Sequence, residues 1–168
     1  MIIYILGDTS FLANNFYKYI KKHYNDIFLI NYKDVYNLKN INNDDVLINF
    51  CGVNRANNWE DYHNGNNIFL QKILNYIKSE PYFIHISSYM IYGFKDKTLD
   101  TLSDYQQWFI KSKLEGENYL KNNYPQEKLC IIHPSNIYGY NCLPYYNNIV
   151  STLIYEKITQ KNCINKIN

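Results

Sequence analysis

Ser88, Phe109 and Lys113 are the positions around which this sequence could organise chemistry. Ser88 closes an apolar run, His85-Ile86-Ser87-Ser88-Tyr89-Met90-Ile91-Tyr92-Gly93. A hydroxyl at the end of such a run can hydrogen-bond a reacting oxygen, or it can cap a turn. Lys113 lies in Trp108-Phe109-Ile110-Lys111-Ser112-Lys113-Leu114-Glu115-Gly116-Glu117, four residues after Phe109. That spacing puts both side chains on one helix face. A tyrosine at the first of the two would have its phenol pKa lowered by the ammonium, and could exchange a proton with an alcohol or carbonyl. Phenylalanine has no titratable group. Tyr105 lies one helical turn earlier and out of register to replace the phenol.

Three further places offer backbone rather than side-chain chemistry. The first apolar run passes into Gly7-Asp8-Thr9-Ser10-Phe11-Leu12-Ala13. A glycine between a strand and a helix allows a tight turn, so that a phosphate can approach the helix N-terminus. Asn49-Phe50-Cys51-Gly52-Val53-Asn54-Arg55 is a strand ending in small residues, where backbone can approach a ribose. His133-Pro134-Ser135-Asn136-Ile137-Tyr138-Gly139 ends the last apolar run in the same manner.

These sites need elements to hold them, and the pattern supplies them. Strands are predicted at residues 2–6, 27–30, 46–50, 82–87 and 129–133, each short, apolar and bounded by polar or turn residues. Helices are predicted at 11–22, 66–78 and 104–122, the second with Phe69, Leu70, Ile73, Leu74 and Ile77 along one face. One more helix is expected after Val150. The alternation predicts an α/β fold, a Rossmann-type doubly wound parallel sheet in a single domain. In such sheets ligands bind beyond the carboxyl ends of the strands, which is where the motifs fall.

Composition excludes several classes. The net charge is +2 and the lysines are dispersed, with Arg55 the single arginine, so no basic face for nucleic acid is expected. The 19 tyrosines accompany an excess of Asn, Lys and Ile, a pattern that codon bias alone produces. Cys51, Cys130, Cys142 and Cys163 form no C-x-x-C pair and no zinc spacing, so no metal site is predicted and the thiols read as reduced. No apolar run approaches a membrane span, and the opening run has neither a basic flank nor the length of a leader. A cytoplasmic location is expected. The 168 residues suffice for one core but not for a dinucleotide-binding domain plus a complete substrate domain.

Taken in order, these motifs resemble the extended short-chain dehydrogenase/reductase family, the NAD-dependent epimerases and dehydratases, and within it the nucleotide-sugar reductases of capsular polysaccharide synthesis. Gly7, Ser10 and Ala13 fall on that family's G-x-x-G-x-x-G, with Ser10 the larger departure. Gly52-Val53-Asn54-Arg55, Gly65-Asn66 and Leu143-Pro144-Tyr145-Tyr146-Asn147-Asn148-Ile149-Val150 are similar to strings of the capsule subgroup. Ser88 matches the serine that binds the reacting sugar oxygen, and Lys113 the lysine that binds the nicotinamide ribose. Phe109 stands where the family has its tyrosine.

The resemblance implies a cofactor, NADP or NAD, held by Gly7, Thr9, Ser10, Phe11, Leu12, Asn31, Lys33, Cys51, Gly52, Val53, Lys113, Pro134 and Asn136. NAD-selective sites place Asp or Glu at the end of the second strand. Here that end reads Ile30-Asn31-Tyr32-Lys33, so NADP is the expected preference, with Asp34 opposing it. The implied partners are a nucleotide sugar and a second copy of the chain, packed through helices 66–78 and 104–122. Two functions stay open: an NAD(P)-dependent nucleotide-sugar reductase or epimerase, and a truncated, catalytically impaired relative that keeps the cofactor site. An unrelated flavodoxin-like domain accounts for none of the later motifs.

Overall fold

The computed structural model describes residues 1–92, 101–146 and 149–159. Gly93, Asn147, Asn148 and Cys163 lie outside the described residues. Five strands form one parallel sheet: β1 (Ile3–Leu6), β2 (Ile27–Ile30), β3 (Val46–Asn49), β4 (Tyr82–Ile86) and β5 (Leu129–Ile132), in the order β2-β1-β3-β4-β5. The chain runs from β1 to one side and then, from β3 onward, to the other. The switch point therefore lies between β1 and β3, where a doubly wound sheet opens a crevice at its carboxyl edge.

Alternation along the strands builds two cores. Leu6, Leu47 and Phe83 face one side and pack with Leu70, Ile73, Leu120 and Tyr124. Ile3, Ile5 and Ile48 face the other and pack with Ala13, Phe16, Tyr17 and Ile20. The first side carries α3 (Phe69–Tyr76) and α4 (Asp104–Asn123), and the second carries α1 (Phe11–Ile20). Asp45, 3% exposed, ties the amino end of the sheet, accepting from Ile2 N at 2.7 Å and Asn42 N at 2.9 Å.

The strands fall within a residue of their predicted bounds, because apolar burial on both faces leaves little freedom of register. The helices differ more. α1 ends at Ile20 rather than at residue 22. The helical run expected from residue 66 begins earlier, with α2 (Trp59–His63), and passes through a π-type turn, Asn64–Ile68, before α3. Polar Asn58-Trp59-Glu60-Asp61 hides this start from a hydrophobic pattern, although Asn58 caps it, accepting from Asp61 N at 2.8 Å. The segment Tyr32–Asn40 is 3₁₀ helix, unanticipated, burying only Val35 and Leu38.

The sheet and these helices make up one compact unit, Met1–Pro134, and Ser135–Asn168 make up a second. In the second unit α5 (Ile149–Thr159) is the helix expected after Val150. Tyr145 there has φ 60° and donates from its hydroxyl to Glu156 Oε1 at 2.7 Å.

Candidate functional site

At the carboxyl end of β1 the chain turns at Gly7, whose φ of 110° is open to glycine and strained for other residues. A Cβ on Gly7 would also press to 3.4 Å from Cys51 Sγ. Ser10 is the N-cap of α1, its hydroxyl accepting from Ala13 N at 3.4 Å. Thr9, Phe11 and Leu12 complete the turn and the first helical residues, so the predicted phosphate-approach segment stands at a helix N-terminus. Ser10 thus serves as a cap, which accounts for a side chain at the second glycine position.

Asp8 and Asn31 join this turn to the end of β2. Asn31 Nδ2 donates to Asp8 Oδ1 at 2.9 Å and to Oδ2 at 3.1 Å, while Asn31 Oδ1 accepts from Lys33 N at 2.9 Å. The Lys33 side chain is exposed, with its ammonium 5.8 Å from the Tyr32 ring centroid.

The turn after β3 is braced from below. Asn49 is fully buried, and its Oδ1 accepts from Cys51 N at 3.0 Å. Its Nδ2 lies 3.1 Å from His85 Nδ1, which must accept, so the ring proton sits on Nε2. Burial, aided by the charge of Lys113 and by His133, pushes the His85 pKa down to about 3, so the imidazole is neutral. Burial also pushes the Cys51 thiol up to about 12, with Asp8 adding to the shift and Lys113 opposing it, which makes it an unreactive wall of the cleft.

Asn66, 3% exposed, locks the next residue of that turn: Val53 N donates to its Oδ1 at 2.8 Å, and its Nδ2 donates to Val53 O at 2.9 Å and Ser112 Oγ at 3.0 Å. The π-type turn is what rotates Asn66 inward. Two glycines let it sit there. A Cβ on Gly65 would meet Val53 Cγ2 at 2.2 Å, and one on Gly116 would meet Asn66 O at 2.3 Å.

Lys113 projects from α4 beneath this turn. It is 4% exposed, and among the described residues its ammonium donates no hydrogen bond. A Cβ on Gly52 would lie 2.5 Å from its Nζ. Burial lowers the ammonium pKa to about 8, against the opposing pull of Glu117 and Cys51. Phe109, one turn earlier, is 6% exposed and packs edge-on to Tyr62 at 6.3 Å between centroids. The predicted Phe109–Lys113 juxtaposition is present, the ammonium standing 5.9 Å from the ring centroid.

Ser88, two residues past β4, is half-buried and accepts from Met90 N at 3.2 Å, capping a single 3₁₀ turn. Its neighbour Ser87 points inward, donating to Glu117 Oε1 at 2.5 Å. Glu117, 1% exposed, also holds His133 Nε2 at 2.8 Å and accepts from Lys121 Nζ at 3.1 Å. Tyr92 stacks edge-on against His133, its hydroxyl 3.4 Å from Nε2. This carboxylate hub was not singled out from sequence, though a Glu four residues after Lys113 on the same helical face was there to be read. Asn49 and His85 were given no role from sequence for a different reason, that nothing local marks a buried polar brace, and Asn66 was read only within the Gly65-Asn66 string. Pro134 follows β5, its carbonyl accepting from Tyr89 N at 3.0 Å. Asn136 belongs to the second unit and is exposed.

A hollow lies elsewhere. About 390 Å³ is lined by Trp59, Trp108, Lys111 and Leu114 on the outer face of α2 and α4, and Lys113 does not line it. No group of metal-ligating side chains occurs among the described residues, and no described helix is long and apolar enough to cross a membrane.

No protein-family model matches the chain, and no curated protein does. Solved structures do share its fold. UDP-glucuronic acid 4-epimerase from Bacillus cereus, in complex with NAD, superposes with a TM-score of 0.68 at 18% identity over 96% of this chain and 64% of its own. A dTDP-4-dehydrorhamnose reductase from Clostridium acetobutylicum gives 0.68 at 22% identity over 95% of this chain and 60% of its own. ADP-L-glycero-D-manno-heptose-6-epimerase from Helicobacter pylori gives 0.71 at 16% identity over 96% and 64%. The protein is thus an α/β protein of Rossmann-like fold, and it spans less than two thirds of the length of these three neighbours.

Proposed function

We propose that this chain binds a nicotinamide dinucleotide across the β1/β3 switch point and acts on a nucleotide-linked sugar, as an NAD(P)-dependent reductase or epimerase of surface, capsule-type polysaccharide synthesis in the cytoplasm. One observation carries the reading: the Lys113 ammonium lies buried against Gly52, where a Cβ would fall 2.5 Å from its Nζ, and among the described residues it donates no hydrogen bond. A buried cation short of acceptors is costly in the free protein, even with the carboxylate of Glu117 lending it charge. Ribose hydroxyls arriving over Gly52 would supply the missing acceptors.

The residues present fit the group. Gly7 and the start of α1 would take the pyrophosphate, Cys51, Gly52 and Val53 would line the ribose path, and Pro134 would border the nicotinamide end. When bound, the nicotinamide supplies a hydride donor or acceptor. Ser88 would orient the reacting sugar oxygen by hydrogen bond. Phe109 fills the general-acid position with a ring that cannot move a proton.

That last observation favours a second reading, a relative that keeps the cofactor site and turns over slowly. Both readings include a homodimer, packed through α3 and α4, the helices of residues 66–78 and 104–122 that the resemblance implies. The test is cofactor oxidation with a UDP-linked ketosugar beside a cofactor titration. Binding with fast oxidation supports the enzyme, binding with little oxidation supports the second reading, and no binding overturns both.

A further inference from the structure

Asp8 lies in the turn after β1 and is bonded to Asn31 just past the end of β2. Its carboxylate is held on both oxygens by the Asn31 amide, at 2.9 and 3.1 Å, and its backbone carbonyl accepts from Asn14 Nδ2 on α1. Asn31 is itself fixed through Lys33 N. Together these bonds fix a carboxylate from the β1 turn against Asn31, the residue that follows β2, which is where sites selective for the unphosphorylated ribose carry their acid. The nearby charged groups are Lys33, whose ammonium lies over Tyr32, and Asp34, whose amide donates to Asn31 O at 2.9 Å.

We propose that Asp8, braced by Asn31, sets the cofactor preference in favour of NAD over NADP. This rests on the dinucleotide reading above. A carboxylate there accepts from the 2′-hydroxyl of the adenosine ribose, and it repels a 2′-phosphate at the same point. Reading β2 alone gives the opposite preference, because the acid has moved to the other side of the pair.

The test is titration of the full chain with NADH and with NADPH, followed by nicotinamide fluorescence, with melting curves as the folding control. NADH should bind at least about tenfold more tightly, the range of a hydrogen bond to a charged group. Asp8→Asn keeps a hydrogen-bonding side chain and removes the charge, so it should erase most of that ratio. Adding Asn31→Asp to Asp8→Asn returns a carboxylate to the same place and should restore the preference. Equal or tighter NADPH binding by the wild type overturns the proposal, as does an Asp8→Asn ratio equal to wild type. If the folded protein binds neither cofactor, the dinucleotide reading fails and this proposal falls with it.

Discussion

The Lys113 ammonium stands 5.9 Å from the centroid of the Phe109 ring, one helical turn away on α4. The pair preserves the geometry in which a phenol would be acidified by a neighbouring cation, but without the phenol.

Phe109→Tyr should therefore supply the missing acid. The Phe109 ring packs against Tyr62, Leu102 and Ile110, and the substitution keeps that shape. General acid–base help is worth roughly 10²–10⁴ in rate. With a nucleotide-linked ketosugar and reduced cofactor, the variant should oxidise cofactor at least about a hundredfold faster than the wild type, at similar cofactor affinity. Equal rates for the two proteins would mean that another group, such as Tyr92, already serves as the acid.

Lys113→Met should stabilise the free protein near neutral pH. The ammonium pKa falls from 10.5 to about 8 on folding. The unfolded chain therefore holds more protons between those values, and this group's contribution to stability rises with pH across the window. Below pH 8 the burial cost is fully present, of the order of 3 kcal/mol. Chemical denaturation of wild type and variant at pH 7 and pH 10 reads the difference directly. The advantage of the variant should shrink as pH rises; a constant advantage would show that it comes from packing alone.

Gly116→Ala should weaken the fold through backbone crowding. The added carbon would fall 2.3 Å from Asn66 O and 2.8 Å from Leu70 Cδ1, so α4 would have to move off the Asn64–Ile68 turn. Overpacking of this kind costs about 1–3 kcal/mol. A thermal melt should show the loss, and an unchanged midpoint would mean that the close approach is not needed.

Glu117→Leu should cost about 1–3 kcal/mol by leaving the Ser87 hydroxyl and His133 imidazole without their acceptor. The double variant Glu117→Leu/Ser87→Ala should recover part of it. Urea midpoints for wild type, Glu117→Leu, Ser87→Ala and the double variant decide this, and full additivity of the two substitutions would deny the coupling.

The sheet was legible from sequence because its central strands, β1 and β3, are buried on both faces and apolar over Ile3–Leu6 and Val46–Ile48. Each strand is short and bounded by turn residues, so type and bounds followed together. Gly7, Gly52 and Lys113 stood out as candidate site residues by their spacing after a strand or along a helix, and the structure brings Lys113 Nζ against Gly52. Asn66 and Glu117 were not singled out, since their roles depend on where α4 lies against the π-type turn and β4, contacts that join residues 46 and 30 positions apart. The Asp8–Asn31 pair was hidden for the same reason: Asn31 reads as neutral until the structure lays the β1 turn beside it.

The most direct test of the dinucleotide site is titration of the purified chain with NADH, read by nicotinamide fluorescence, with Lys113→Met alongside and a melting curve for each. A saturable signal in the wild type that disappears in a variant of equal or higher melting temperature is the predicted result. A flat titration of folded wild-type protein, or equal binding by both, would contradict the site.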